Sequence, residues 1–408
     1  MIIWADLTWL FNGIVIFLAL YWGLFMLVGG NVMSKNNKQA YMSPFGGLPK
    51  ISILVAVKNE ENTIGRLIQS INHLNYPADL VEMVLVLDGS TDNSLAIVNS
   101  FAEKDGRLRV VKMEKNYNRK PGALNVGLKY CTGKLVALLD ADSVPCENYL
   151  MAAAQKYLNG EKAMTGYYKV INTGESWLSK LSAFESLTSR ALNCGRYKLG
   201  LSVPIAGYNS FVDRELLLDI GGFSNSVTED VDLWLKLIKN KVRSSYLDSF
   251  VWIEVPAKVT TFFRQRIRWY GGYLQLVRNH LDLFKKTGMI SAMDALLFLL
   301  MPLYSILLLL TVSLTPIAIF LWTYGLFKIV LFVGYLFGYF VIIQMTSLGS
   351  MIKLKDELKG NLAFLPLIYL YMGFLSLASL MALSAVILRR NIWAFKTDKS
   401  GYTDKHNL

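Results

Sequence analysis

The chain has 408 residues, of which 53% are hydrophobic and only 18% are charged, and its formal net charge is +12 at pH 7. This hydrophobic fraction is above the average of about 45–50% for soluble domains and argues against a purely soluble protein. The basic excess fits a positive-inside bias of membrane segments and attraction to anionic lipid and an anionic substrate. Nucleic acid is not expected as a partner, because no Lys/Arg cluster is interleaved with aromatic residues in a known reading motif.

The first predicted element is an apolar helix over residues 7–28, which is about long enough to cross a ~30 Å hydrocarbon core. No Lys or Arg precedes it, unlike in a secretory signal peptide, whereas Lys35, Lys38 and Lys50 follow it. The positive-inside rule therefore predicts an N-terminus outside the cell and a cytosolic location from residue 35 onward. Residues 1–34 are predicted to be an N-terminal transmembrane segment.

Short apolar runs then alternate with helical patterns. Strands are predicted over residues 51–57, 81–87, 108–111 and 134–139, and helices over residues 67–74, 92–101 and 120–129. This alternation predicts an α/β fold with a doubly wound sheet, in which ligands bind beyond the carboxyl ends of the strands. Asp88 and Asp140 directly follow two of these strands, so we expect both at the ligand-binding edge.

Asp140 and Asp142 form a pair of carboxylates one residue apart, directly after the run Leu135–Leu139. A turn of this kind can direct a carboxylate oxygen toward a divalent metal ion, which in turn can bridge the two phosphates of a nucleotide sugar. The alternative is an ordinary solvated turn. The position after a buried strand, with Asp88 at the end of another, favours the metal interpretation.

Four motifs follow each other in the chain: residues 87–92 (LDGSTD), 140–142 (DAD), 228–230 (TED) and 265–269 (QRIRW). With the α/β pattern and the flanking apolar segments, they resemble the membrane-integrated processive branch of family 2 glycosyltransferases. That branch includes hyaluronan, chitin, cellulose and poly-N-acetylglucosamine synthases, and the resemblance covers residues 51–273. It implies a glycosyltransferase-A-type, doubly wound nucleotide-sugar-binding domain inserted between transmembrane helices.

The resemblance also implies roles for single residues. The implied nucleobase contacts are Val57, Glu60 and Asp88. Lys120 would lie near the diphosphate, where a cation suits the phosphates. Asp142 would be the ligand of Mg²⁺ or Mn²⁺, with Asp140 nearer the bond between sugar and diphosphate.

Asp230 resembles the general base of these enzymes, which takes the proton of the acceptor hydroxyl. Thr228 and Glu229 would position it. The alternative for Glu229 and Asp230 is that they cap the helix predicted to follow them, since carboxylates suit a helix N-terminus. Both interpretations can hold together.

Gln265, Arg268 and Trp269 lie on one face of an amphipathic stretch. By resemblance, the Arg contacts the diphosphate and the Trp closes over the acceptor sugar; the alternative is an Arg/Trp membrane anchor. The neighbouring Arg264 and Arg266 are expected at lipid headgroups. Residues 207–210, which include Gly207 and Asn209, resemble the loop on the acceptor side.

Residues 295–348 are apolar enough for two spans, near 295–321 and 326–348, and residues 364–388 for a last one. Residues 353–359 are charged and expected in the cytosol. Counting crossings places residue 389 onward outside, whereas the basic residues of this tail favour the cytosol, and the sequence leaves both alternatives open. The predicted organisation lists five parts: 1–34 transmembrane, 35–255 catalytic, 256–290 interfacial amphipathic helices, 291–388 transmembrane and 389–408 basic tail.

The resemblance implies an inverting, metal-dependent enzyme of the plasma membrane with its catalytic domain in the cytosol. It would move a sugar from a UDP-sugar, preferably UDP-N-acetylglucosamine, to a growing polysaccharide and couple synthesis to translocation. One alternative is a glycolipid synthase that adds a single sugar to a lipid, and another is an inactive membrane scaffold. Because about four spans are few for a channel, an accessory membrane subunit or a homo-oligomer is a further expected partner.

Overall fold

The computed structural model describes residues 2–35, 47–113, 119–322 and 367–395. The predicted span at 326–348 and the charged stretch at 353–359 lie outside these residues. The helices within the described ranges are α1 (Ile2–Lys35), α2 (Ile64–Ile71), α3 (Ser94–Ala102), α4 (Lys120–Leu128), α5 (Tyr149–Leu158), α6 (Trp177–Lys198), α7 (Arg214–Asp219), α8 (Glu229–Lys239), α9 (Val259–Asn279), α10 (Leu283–Lys286), α11 (Met289–Leu299), α12 (Met301–Trp322) and α13 (Leu367–Ile387).

One eight-stranded sheet organises residues 51–253, which lie in the part predicted to be catalytic. Its strands are β1 (Ile51–Val57), β2 (Val81–Leu87), β3 (Leu108–Lys112), β4 (Leu135–Asp140), β5 (Val144–Pro145), β6 (Ala163–Val170), β7 (Ser210–Asp213) and β8 (Ser245–Ile253). They are ordered β3-β2-β1-β4-β7-β6-β8-β5. The first four strands are parallel, and β7 is antiparallel to both β4 and β6. The four strands predicted from the sequence are confirmed, and the sheet as a whole is mixed.

The sheet core has two apolar layers, because side chains of a strand alternate between its faces. Leu54 packs with Leu124 of α4 on one face. Ile53 and Val55 pack with Leu67 of α2 on the other. Helices therefore cover both faces of the parallel strands, which makes the domain doubly wound, as predicted.

Two helices in the described part of the chain are long and apolar enough to cross a membrane, with spans at Leu10–Met33 and Leu370–Ile387. A third span is added if α11 and α12, which are bent by 61° at their junction, count as one. The break lies at Leu300, so Pro302 stands in the first turn of α12, where its missing N–H costs no helical hydrogen bond. The span Leu370–Ile387 lies within the segment predicted at 364–388. The bent pair, Met289–Leu299 and Met301–Ile317, overlaps the segment predicted at 295–321 but begins before it.

A buried polar cluster ties the first apolar helix to the catalytic domain. Arg196 of α6 is completely buried and forms an ion pair with Asp294 of α11. The hydroxyl of Tyr21 in α1 donates to the same carboxylate at 2.5 Å. Because a buried charge is costly without partners, these contacts restrict how α1, α6 and α11 can move relative to each other.

Candidate active site

The carboxyl ends of three neighbouring strands come together at one edge of the sheet. The register pairs Val57 of β1 with Leu87 of β2, and Ala56 of β1 with Asp140 of β4. The Asp88 N–H donates to the carbonyl of Val57 at 3.0 Å, and the Asp88 side chain is buried. The prediction that Asp88 and Asp140 lie at the same edge of the sheet is confirmed, and ligand binding at this edge stays a prediction.

The loops after β1 and β2 brace each other through polar contacts. The Glu60 N–H donates to Ser94 Oγ at 2.8 Å, and the Thr91 N–H donates to Asn59 Oδ1 at 2.8 Å. Asn59 has a left-handed backbone with φ of 57°, a conformation that Asn tolerates better than most residues. These contacts hold the two loops together next to Asp88. The sequence predicts nucleobase binding there by Val57, Glu60 and Asp88.

Lys120 links the sheet edge to the TED motif. It starts α4, and its Nζ lies 2.8 Å from Asp140 Oδ1 and 2.8 Å from Glu229 Oε1. Burial by itself would lower the pKa of this ammonium group, but the charges of Asp140, Glu229 and Asp230 raise it above its ordinary value. Lys120 therefore carries a fixed positive charge between the end of β4 and the start of α8.

The Asp230 carboxylate is held by two backbone N–H groups. Gly207 N–H donates to Oδ2 at 3.0 Å, and Val231 N–H donates to Oδ1 at 2.8 Å. Burial and the negative charge of Glu229 raise the pKa of Asp230 to about 6, against the lowering effects of Lys120 and the two N–H groups. A carboxyl with such a pKa can accept a proton near neutral pH, as general base catalysis requires.

The TED motif is also a helix start. Helix α8 begins at Glu229, and Thr228 occupies the position before it. Glu229 and Asp230 therefore lie in the first turn of the helix, where acidic residues are favourable. The side chain of Thr228 does not cap the helix, and its hydroxyl has no hydrogen-bond partner among the described residues. The capping interpretation of the two acidic residues and the base interpretation of Asp230 are therefore compatible.

Gly207 is needed because of its surroundings. A Cβ atom at this position would lie 2.8 Å from Lys120 Nζ and within 3.5 Å of the Glu229 and Asp230 carboxylates. Asn209, two residues later in the same loop, is completely buried, and its Nδ2 donates to the carbonyls of Tyr167 and Ser249. Asn209 thus secures the loop from inside, and its predicted contact with substrate stays a prediction.

Asp140 and Asp142 are the carboxylates predicted to lie nearest a bound metal ion. Asp142 is buried in the turn between β4 and β5, next to Asp140. Within the described ranges, no group of three or more His, Cys, Asp or Glu side chains is placed to hold a metal ion alone. A site with one or two carboxylates fits Mg²⁺ or Mn²⁺ when phosphates and water supply the remaining ligands.

Helix α9 carries the QRIRW motif and lies directly on the TED motif. A Cβ atom on Gly272 of α9 would come within 2.6 Å of the Thr228 side chain, so the helix backbone packs closely there. Trp269 is three residues earlier, about 4.5 Å along the helix axis at 1.5 Å per residue. Gln265, Arg268 and Trp269 are all half-buried, and their predicted substrate contacts stay predictions.

The expectation that Arg266 contacts lipid headgroups is wrong. Its side chain is buried and forms an ion pair with Glu185 of α6. The Glu185 partner is far away in the sequence, so the pairing could not be seen from the QRIRW motif. Arg264, by contrast, is exposed.

Residues 52–221 match the protein family described as Glycosyl transferase family 2. They hold β1 to β7 and the site residues Asp88, Lys120, Asp140 and Gly207. These residues, which are fewer than half of the chain, are thus similar to that family. The TED and QRIRW motifs lie beyond the matched residues, so their roles do not follow from this match.

Two curated relatives illustrate the range of this similarity. The chain is 30% identical over 263 residues to the beta-monoglucosyldiacylglycerol synthase of Nostoc sp., covering 62% of this chain and 56% of the relative. It is 27% identical over 274 residues to the poly-beta-1,6-N-acetyl-D-glucosamine synthase of Staphylococcus epidermidis, covering 65% of each. The alignments thus span less than two thirds of both relatives.

Among solved structures, the fold is similar to the mannosyltransferase PcManGT from Pyrobaculum calidifontis in complex with GDP-Man and Mn²⁺. The TM-score is 0.61 at 17% identity, with 95% of this chain and 100% of that chain covered. At this identity the similarity establishes the fold alone. The predicted glycosyltransferase-A-type α/β fold is confirmed.

Sequence reasoning missed a contact between the start of α4 and the tail. The Arg119 guanidinium lies 4.9 Å from the centre of the Trp393 ring, and Arg119 is next to Lys120. Ile392 packs on Gly271 of α9, where a Cβ atom would come within 2.6 Å of it. Of the two alternatives for the tail, this contact agrees with the one that places its first residues on the side of the catalytic domain.

A second contact that the sequence did not predict is a His–Asp pair between α8 and the end of α9. His280 and Asp232 are both buried, and His280 Nε2 lies 2.7 Å from Asp232 Oδ1. The signal was available in part, since Asp232 follows the TED motif by two residues. Its partner, however, lies 48 residues away and could only be found in the folded chain.

Proposed function

We propose that this protein is an inverting glycosyltransferase that moves a sugar from a UDP-sugar onto a hydroxyl group of an acceptor at the membrane. The observation that carries the proposal is the arrangement of Asp230, Lys120 and Asp140. A carboxylate with a raised pKa lies beside a lysine that reaches the ligand-binding edge of the sheet. This arrangement supports the proposal, because the reaction needs a base for the acceptor and a cation for the leaving diphosphate.

In the proposed reaction, the acceptor hydroxyl gives its proton to the Asp230 carboxylate while its oxygen bonds to the anomeric carbon of the donor. The bond between that carbon and the diphosphate oxygen breaks, and UDP leaves with the electron pair. Inversion follows because the acceptor attacks from the face opposite to the leaving group. Lys120 stabilises the charge that develops on the diphosphate.

Asp142 is the proposed ligand of Mg²⁺ or Mn²⁺, with Asp140 nearer the bond between sugar and diphosphate. When bound, the ion would neutralise the diphosphate and so make it a better leaving group. Asp88, with Val57 and Glu60, is proposed to bind the nucleobase. Gln265, Arg268 and Trp269 are proposed to close the site from the acceptor side, with Arg268 toward the diphosphate.

The acceptor we favour is a growing polysaccharide, with UDP-N-acetylglucosamine as the preferred donor and with synthesis coupled to translocation. Support comes from similarity to a poly-N-acetylglucosamine synthase. A single transfer to a lipid is the second candidate, supported by similarity to a glycolipid synthase and by the few candidate spans in the described residues. An inactive scaffold is disfavoured, because the Lys120, Asp140, Glu229 and Asp230 network is assembled.

We propose a multi-pass protein of the plasma membrane whose catalytic domain and first tail residues face the cytosol. The support is the position of the catalytic part between candidate spans and the contact of Trp393 with Arg119. An accessory membrane subunit or a second copy would be required if the described spans are too few to form a channel for a polymer.

The deciding experiment is a donor screen with purified protein in lipid, using UDP-N-acetylglucosamine, UDP-glucose and GDP-mannose with Mn²⁺, Mg²⁺ or EDTA. Nucleotide release is measured, and products are sized by mass spectrometry. The proposal expects metal-dependent release of UDP and a polymer; one sugar on a lipid would support the second candidate. If no donor gives metal-dependent nucleotide release, the proposed function is wrong.

A further inference from the structure

A polar cluster joins helices α6, α9 and α13, with Arg266 and Tyr371 buried and Glu185 half-buried. Arg266 of α9 forms an ion pair with Glu185 of α6 and donates to the hydroxyl of Tyr371 in α13 at 3.1 Å. The Tyr371 hydroxyl donates to the same Glu185 carboxylate at 2.6 Å. Arg266 is thus held by one partner from the catalytic domain and one from a candidate membrane span.

The same guanidinium group also contacts Trp269. Its Cζ lies 4.6 Å from the centre of the Trp269 ring and 5.0 Å from that of Phe262, one turn away on the other side. Guanidinium groups are planar and stack on aromatic faces. A change in the position of Arg266 would therefore remove a contact that defines the orientation of the Trp269 ring.

Helix α6 is also connected to the loop that holds Asp230, the proposed general base. Ser186, next to Glu185, donates to the carbonyl of Tyr168, and the Tyr168 ring packs edge-on against Tyr208 at 5.3 Å. Tyr208 follows Gly207, whose N–H holds the Asp230 carboxylate. Helix α6 thus connects with both the QRIRW helix and the loop that holds Asp230.

We propose that Glu185 and Tyr371 are positioning residues, which hold Arg266 against Trp269 and so fix the Trp269 ring for the acceptor. This inference rests on the proposed function, because it gives a purpose to the acceptor-side role of Trp269. A buried ion pair is weak support for stability by itself, since well-packed apolar residues often serve as well. An apolar cluster, however, would not fix the orientation of the Arg266 guanidinium plane against the Trp269 ring.

The consequence is a link between the membrane and the acceptor side of the site. Tyr371 belongs to α13, and movement of this helix would reach Trp269 through one hydrogen bond and one stacking contact. Donor binding should change little, because most proposed donor residues belong to the strand ends and to α4. Arg268, the proposed donor residue on α9, is not among the partners of Arg266 named above. The inference therefore predicts a selective effect on the acceptor.

The test compares Glu185→Gln, Glu185→Asp and Tyr371→Phe in the full chain in lipid. Asp248→Asn is the matched control: Asp248 pairs with Arg190 of the same helix α6 at 3.0 Å, and Arg190 also lies over an aromatic ring, that of Tyr167. The fluorescence of Trp269 is obtained as the difference between each variant and the same variant carrying Trp269→Phe. Acrylamide is the quencher.

We expect Glu185→Gln to shift the Trp269 emission to longer wavelength and to increase its quenching, with Glu185→Asp restoring most of the native signal. With an N-acetylglucosamine tetrasaccharide or dioleoylglycerol, whichever the wild type uses, KM for this acceptor should rise about tenfold. KM for the donor should stay unchanged, and Asp248→Asn should alter neither KM nor the Trp269 signal.

Unchanged Trp269 fluorescence in Glu185→Gln, or equal losses for donor and acceptor, would overturn the inference and leave Glu185 with a role in folding alone. The proposed function fails in a different way: the wild type would then bind no UDP in the presence of Mn²⁺ by calorimetry. Since the fluorescence measurement needs no turnover, it decides the positioning role in either case.

Discussion

The two halves of the candidate site are built in different ways. The donor half consists of the strand ends with Val57, Asp88 and Asp140, which neighbouring parallel strands align by register. The base half consists of the Gly207 loop, the start of α8 and helix α9, and polar contacts between residues far apart in the chain hold it together. Lys120 forms ion pairs with both halves.

This difference teaches where the site is robust and where it can be adjusted. Backbone hydrogen bonds between strands fix the donor half, so single side-chain changes there should leave its shape intact. The base half depends on individual side-chain contacts, each of which can be removed. Substitutions in the two halves should therefore separate chemistry from positioning.

The largest expected effect comes from removing the base. Asp230→Asn keeps the shape but cannot accept the proton, so kcat should fall by about 10²–10⁴-fold. The measurement is UDP release under saturating donor. Asp219→Asn, an exposed carboxylate at the end of α7, is the control and should behave as the wild type. Near-normal turnover of Asp230→Asn would exclude its role as the base.

Next in size is the residue that joins the halves. Lys120→Gln removes the cation proposed to stabilise the diphosphate and should lower kcat about 10²-fold. In the wild type, the rate should rise with pH through about 6 as Asp230 loses its proton. Because Lys120 lowers the pKa of Asp230, its loss should move this rise to higher pH. A pH–rate profile that does not move would contradict the electrostatic link.

A smaller effect is expected where the halves meet through backbone. Gly207→Ala places a methyl group 2.8 Å from Lys120 Nζ and should displace the ammonium from its carboxylates. We expect kcat to fall about tenfold while the protein stays folded. Gly174→Ala is the matched control, since a Cβ atom there has nothing within 4 Å. Equal activity of the two variants would show that the crowding at Gly207 has no consequence.

The smallest effect is expected at the tail. Trp393→Ala removes the ring that lies on Arg119, and a contact of this kind is worth about 0.5–1 kcal/mol at exposed sites. KM for the donor should rise about two- to fivefold, as measured in the same assay. The control is Tyr130→Ala, which removes a comparable ring from Arg109 at 5.9 Å. If both variants behave alike, the tail has no part in donor binding.

The sequence was most informative for the donor half. Asp88 and Asp140 could be placed at one edge because apolar strands and their ends are local signals, and parallel strands bring their ends together. The sequence was less informative for helix α9 and its neighbours. The prediction for Arg266 was wrong, because a basic residue near apolar segments was taken as a headgroup contact although a carboxylate 81 residues away was its partner.

By itself the sequence determined the alternation of strands and helices, the carboxylates at the strand ends and the apolar segments, because each depends on neighbouring residues. Tertiary structure alone decided that Lys120 bridges Asp140 and Glu229, that Gly207 holds Asp230, and that Trp393 reaches Arg119. The physical reason is that hydrogen bonds and ion pairs between distant residues leave no periodic trace in a chain. They form only after the core has packed and brought their partners within a few ångströms.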